Sequence, residues 1–99
     1  MKKQPTTTAE YMESEAAFQT WVVDYARLRG WLTAHVRDSR GQDATGMPDL
    51  VLARAGVVLL IELKAEGGKT TKAQAVWLAA SGNHLYRPSD RLELMGLLA

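Results

Sequence analysis

The stretch Gly46-Met47-Pro48-Asp49-Leu50-Val51-Leu52-Ala53-Arg54-Ala55-Gly56-Val57-Val58-Leu59-Leu60-Ile61-Glu62-Leu63-Lys64 decides the fold. Two apolar runs, Asp49 to Ala53 and Val57 to Leu63, flank Ala55-Gly56, a pair able to turn the chain back, and the whole reads as a β-hairpin. A turn centred on that pair matches residues whose numbers add to 111, as 49 and 62 do. Asp49 and Glu62 then stand opposite one another on one face, with Cβ atoms about 5 Å apart. Like charges at that spacing repel, with no structural return unless a cation lies between them. Two carboxylates with a backbone carbonyl and waters suit the octahedral oxygen shell of Mg²⁺. Side chains alternate along a strand, so Lys64 emerges on the face of Glu62 while Leu63 points the other way.

Outward from the hairpin, the remaining elements follow from periodicity and end signals. Phe18, Trp21, Val22, Tyr25 and Leu28 recur at steps of three and four, which predicts a helix from about Glu15 to Arg29 with Ser14 as N-cap and Gly30 just past its end. Trp31 to Val36 alternates well enough for a strand, and Arg37 to Gly46 is loop by composition. After a flexible Ala65-to-Thr70 connection, Thr71 and Gln74 form a capping box for a helix to Ser81, with Ala73, Val76, Trp77 and Ala80 as its apolar face. Gly82-Asn83 ends that helix. His84 to Arg87 is a short strand, and Asp90 with Glu93 starts a last helix through Leu98. The expected order is αβββαβ with a C-terminal helix, a mixed sheet flanked by helices in one α/β domain over 13–99. Residues 1–12 show no periodic face and read as a flexible arm or one exchanged with a second subunit.

Composition bounds the possibilities. Ninety-nine residues hold one domain, and 46% hydrophobic content supports a buried core. With no cysteine there is neither a disulfide framework nor a thiolate site. The longest apolar run, Val57 to Ile61, falls far short of the ~20 residues of a membrane span, and Gln4-Pro5-Thr6-Thr7-Thr8 stands where a signal peptide needs apolar residues. A cytoplasmic, membrane-free protein is expected. A fold this small buries only around 65% of its unfolded surface, so a homodimer is expected too.

The metal would polarise a phosphate and lower the pKa of its water, which implies hydrolysis of a phosphodiester. Lys64 could position or deprotonate that water, or stabilise charge on the phosphoryl group. Pro48-Asp49 followed after a spacer by Glu62-Leu63-Lys64 resembles the PD-(D/E)xK nuclease signature. With Glu15 at a helix start, Gly46-Met47-Pro48-Asp49 and Gln74 in the next helix, the chain is similar to the VRR-NUC branch, the virus-type replication and repair nucleases, over roughly Ser14 to Leu94. The resemblance implies a restriction-endonuclease-like core and a catalytic set of Glu15, Asp49, Glu62, Lys64 and Gln74. It implies Mg²⁺, with Mn²⁺ able to substitute, on Asp49, Glu62 and the backbone carbonyl of Leu63, with Glu15 as a candidate further ligand. It also implies a homodimeric endonuclease of bacterial or phage-infected cells that resolves Holliday junctions in DNA repair and recombination.

Simpler roles exist for several of these residues. Glu15 complements the helix dipole, Gln74 serves the cap, and Gln19 reads as a solvated surface residue. His35 and His84 read as structural or as weak DNA contacts, and the three tryptophans as core or dimer packing. Arg37, Arg40, Lys69 and Lys72, in or beside the loops flanking the acidic pair, are candidate phosphate clamps. A flap or nicking nuclease and a non-catalytic DNA-binding module are the alternative functions. The formal charge of +1 alone gives no hint of a nucleic-acid partner. With Glu15, Asp49 and Glu62 set aside as site groups, however, twelve basic side chains face eight acidic ones, leaving +4.

Overall fold

In the computed structural model, which describes residues 6–36 and 45–99, the hairpin forms in the expected register. β2 (Leu50–Arg54) and β3 (Val57–Leu63) run antiparallel, with Leu50 opposite Ile61 and Arg54 opposite Val57. Ala55 and Gly56 take φ of 51° and 82°, the left-handed pair that lets a two-residue turn follow the twist of its strands. β1 (Leu32–His35) pairs antiparallel with β2, and β4 (Leu85–Tyr86) pairs parallel with β3. The result is a mixed four-stranded sheet in the order β1-β2-β3-β4.

Alternation along the strands gives each face of this sheet a separate fate. Leu50, Leu52, Ile61, Leu63 and Tyr86 are buried on one face against Phe18, Val22, Val23 and Ala26 of helix α2 (Glu15–Leu28). Leu94 and Leu98 of the last helix, α4 (Arg91–Leu98), complete that core. The opposite face presents Leu32, Ala53 and Val58 in one row and Ala34, Val51 and Leu60 in the next. Helix α3 (Lys72–Ser81) packs at β3, while Leu32 is 76% and Val58 64% exposed.

Ser14 Oγ accepts from Ala17 N–H at the start of α2, as its N-cap position requires. The buried arc of α2 is nevertheless centred on Val22 and Ala26, so Leu28 lies beyond its flank and is 80% exposed, against expectation. Trp21 and Tyr25 stack at the edge of the arc, and the Arg91 guanidinium covers Trp21 while forming a bidentate pair with Glu13.

Residues 1–12, expected as an arm without regular structure, contain a short helix, α1 (Thr8–Met12). Thr7 Oγ1 accepts from Glu10 N–H and Thr7 N–H donates to the Glu10 carboxylate, a capping box that forms without any apolar periodicity. The expected face of α3 is also revised: Leu78 is its buried residue, whereas Val76 and Ala80 face outward. At the last helix, Asp90 does not cap the helix through its side chain. It accepts from Arg87 N–H across a 3₁₀ turn (Pro88–Asp90), and Glu66 binds both the N–H and the hydroxyl of Ser89. The Ala65-to-Thr70 connection is thereby tied to the fold. Among the described residues no helix is long and apolar enough to cross a membrane.

Candidate functional site

Gly46 adopts φ +85°, and a Cβ there would meet the Ala73 carbonyl carbon at 2.5 Å. Only glycine lets this loop turn and lie directly on the first turn of α3, which fixes the approach of Pro48 and Asp49. Gly46→Ala is expected to cost about 2 kcal/mol or more through left-handed strain and the clash with backbone. Gly67, whose Cβ would meet nothing within 4 Å, serves as the control and should tolerate alanine within about 0.5 kcal/mol. Equal costs in urea unfolding would refute this account of Gly46.

The ladder register continues one step beyond β2 and sets Asp49 against Glu62, as expected. Asp49 accepts from Val36 N–H through its carbonyl at 2.7 Å, so its backbone faces β1. Glu62 and Lys64 donate their N–H groups to the carbonyls of His84 and Tyr86 in and beside β4. By alternation the Leu63 carbonyl must point the other way, toward position 48. Pro48 is buried there and has no N–H to give. The proline of the Pro-Asp pair thus keeps a ladder donor away from the one backbone carbonyl expected to bind metal.

Glu62 is 1% exposed, and among the described residues no N–H or hydroxyl donates to either of its carboxylate oxygens. Lys64 Nζ stands 3.7 Å from Glu62 Oε2. Burial in this pocket, and next the negative charge of Asp49, push the Glu62 pKa from 4.5 to about 7, against a downward pull from Lys64. Ionised, both carboxylates are acceptors only. A single proton shared between Asp49 and Glu62 makes one of them a donor, and this also raises the value. Glu15, the exposed first residue of α2, adds the smallest upward push.

A buried carboxylate without donors is costly unless a cation or proton satisfies it. Asp49, Glu62 and the Leu63 carbonyl are all hard oxygen donors, the type that would suit Mg²⁺ or Mn²⁺. Among the described residues no group of three or more His, Cys, Asp or Glu gathers as a ready-made metal cluster. Glu15 raises the Glu62 carboxyl through its negative charge.

Gln74 fills the capping box as expected: its side-chain oxygen accepts from Thr71 N–H, and its own N–H donates to Thr71 Oγ1. These contacts are structural and do not themselves join it to the acidic pair. Lys69, in the connection before α3, and Lys72, the first residue of α3, are both exposed. Arg37 and Arg40 lie outside the described residues. Set against protein-family models, curated proteins and solved structures, the chain gives no match in any of the three.

Gln19, expected as a solvated surface residue, and His35, expected as structural or as a weak DNA contact, come together beside the acidic pair. Gln19 and His35, together with Val36 and Asp49, line an open hollow of about 460 Å³ next to the acidic pair. Gln19 is one helical turn beyond Glu15, and that spacing is the one signal that associates it with the site. His35 pairs with Leu50, one position from Asp49, so the strand register contains the corresponding signal for it.

Proposed function

We propose that this protein is a metal-dependent endonuclease that hydrolyses phosphodiester bonds in DNA. The observation that carries the reading is the buried carboxylate of Glu62, which among the described residues accepts no hydrogen bond, beside Asp49 and Lys64. A structural role would leave that group protonated or replace it with an apolar residue. Asp49, Glu62 and the Leu63 carbonyl would hold Mg²⁺ or Mn²⁺, which when bound supplies a polarised phosphate and a more acidic water. Lys64 lies against Glu62 and offers an ammonium group for orienting the attacking water or for the charge on the phosphoryl oxygens. In the overall step a water oxygen bonds to phosphorus, one ester P–O bond breaks, and the leaving oxygen takes up a proton. Glu15 contributes to the field of the site, and Gln74 holds the start of α3 beside the loop that delivers Asp49.

The mixed sheet with helices is compatible with a restriction-endonuclease-like core, and resemblance of the motif order to VRR-NUC nucleases points to a four-way junction as substrate. The open apolar face of Leu32, Ala34 and Val58 supports assembly as a homodimer, which would set two sites against two strands.

Wild type and Asp49→Ala, each with Mg²⁺ and labelled four-way, flap and linear DNAs, test this. Paired symmetric nicks confined to the four-way junction are expected from wild type. Loss of the metal ligand should slow cleavage by roughly 1,000-fold, equivalent to about 4 kcal/mol. Equal rates in the two proteins would overturn the assigned site. Cleavage of flaps alone would identify a flap nuclease, and binding without cleavage by wild type a DNA-binding module.

A further inference from the structure

Beside the acidic pair, a second hollow of about 360 Å³ adjoins the first and is lined by Ala16, Gln19, Thr20, Val23, Asp24, Arg27 and His35. Gln19 and His35 belong to both. Sharing these residues, the two hollows adjoin as one groove from Asp49 to Arg27, between α2 and the edge strand β1. Among the described residues neither Gln19 nor His35 makes a side-chain hydrogen bond, although both are strong hydrogen-bonding groups. Further along, Arg27 spends its Nε–H on Thr33 Oγ1 at 3.2 Å, which leaves the four N–H donors of its terminal amino groups to serve an anion. Among the described residues Asp24 is the one acid lining the second hollow, so a negatively charged ligand is favoured on the side of Arg27.

Resting on the nuclease reading, we propose that this groove is the track for the DNA strand that carries the scissile phosphate. Gln19 and His35 hold the phosphate next to the one being cut, and Arg27 holds the following one. Gln19 and His35 give position through short-range hydrogen bonds, and the guanidinium adds the salt-dependent part of the affinity. These are substrate-binding residues, distinct from the groups that perform hydrolysis.

The test combines cleavage kinetics with equilibrium binding of a fluorescein-labelled four-way junction in Ca²⁺, over a series of salt concentrations. Joint replacement, Gln19→Ala with His35→Ala, should raise KM and the binding constant Kd roughly ten-fold while kcat changes less than about two-fold. Arg27→Ala should reduce the slope of log K against log salt by about 0.7 to 0.9. Unchanged KM, Kd and salt slope in these variants, with melting curves like that of wild type, would overturn the groove. Asp49→Ala separates the two ideas. If it still cuts at the wild-type rate, the acidic-pair reading fails; the binding losses in the groove variants then decide the groove on their own.

Discussion

At pH 8, Glu62→Gln is expected to stabilise the metal-free protein by about 2 to 3 kcal/mol while abolishing cleavage. The carboxyl ionises near 4.5 when the chain is unfolded and at about 7 when folded, because it is buried beside Asp49. Below 4.5 both states carry the proton and the group is neutral in the balance. As pH rises from there the unfolded chain releases its proton first, so folding stability falls until the native group also ionises near 7. The full cost, about 3 kcal/mol, is therefore present at pH 8 and shrinks to about 1 kcal/mol or less at pH 5. Glutamine removes the charge and gives its amide N–H groups the Asp49 carboxylate as acceptor. Urea unfolding of both proteins at pH 5 and pH 8 measures the difference. Added Mg²⁺ should raise the stability of wild type at pH 8 and leave the variant unchanged, since only the ionised carboxylate binds the metal. A gain of the same size at both pH values would show that the buried charge is not its origin.

What could be read in advance follows the range of the interactions involved. The hairpin register was legible because a two-residue turn leaves one pairing, and the left-handed angles of Ala55 and Gly56 are those such a turn demands. Caps at Ser14 and Thr71 were legible because their bonds, one at Ser14 and two at Thr71, each span three residues. Faces of helices were less so. Periodicity fixes which residues share a flank but not which flank meets the sheet, and Leu28 and Val76 both fell on the open side. Asp90 had a cap-like spacing, yet Glu66, twenty-three residues from Ser89 in sequence, took over that corner. The acidic pair was visible as two positions on one ladder. The nearness of Gln19 to His35 was not, because it comes from packing α2 against the edge strand. The meaning of Pro48 lies between these cases: its missing N–H is plain in the sequence, but only the direction of the neighbouring ladder shows that Leu63 is the residue it spares.

Trp31→Ala should cost about 4 kcal/mol, the range for deleting a large aromatic side chain from a core. The indole is 5% exposed, and its Nε1–H donates to the Leu98 carbonyl at 3.0 Å, which joins the α2–β1 corner to the end of α4. Arg54 lies over the ring at 4.3 Å and binds the carbonyls of Arg29, Leu98 and Ala99. Removing the indole opens a cavity beside Leu98 and takes away the surface on which Arg54 rests. For a domain of this size the loss is a large share of a total stability of about 5 to 15 kcal/mol, and the melting temperature should drop by roughly 20 °C. Trp31→Phe keeps an aromatic face under Arg54 and loses the Nε1–H donor, while Leu98 keeps its bond from Arg54. It should therefore cost about 1 to 2 kcal/mol. Melting followed by circular dichroism separates the two, and an alanine variant less than about 1 kcal/mol below wild type would contradict the role given to this corner. Trp31 stands just before β1, near the hairpin turn, whereas Asp49 and Glu62 occupy the other end of the same ladder. At temperatures where the alanine variant remains folded, its cleavage rate per molecule should match that of wild type, since nothing in the loss of this corner changes the carboxylates, the lysine or the loop that Gly46 sets against α3.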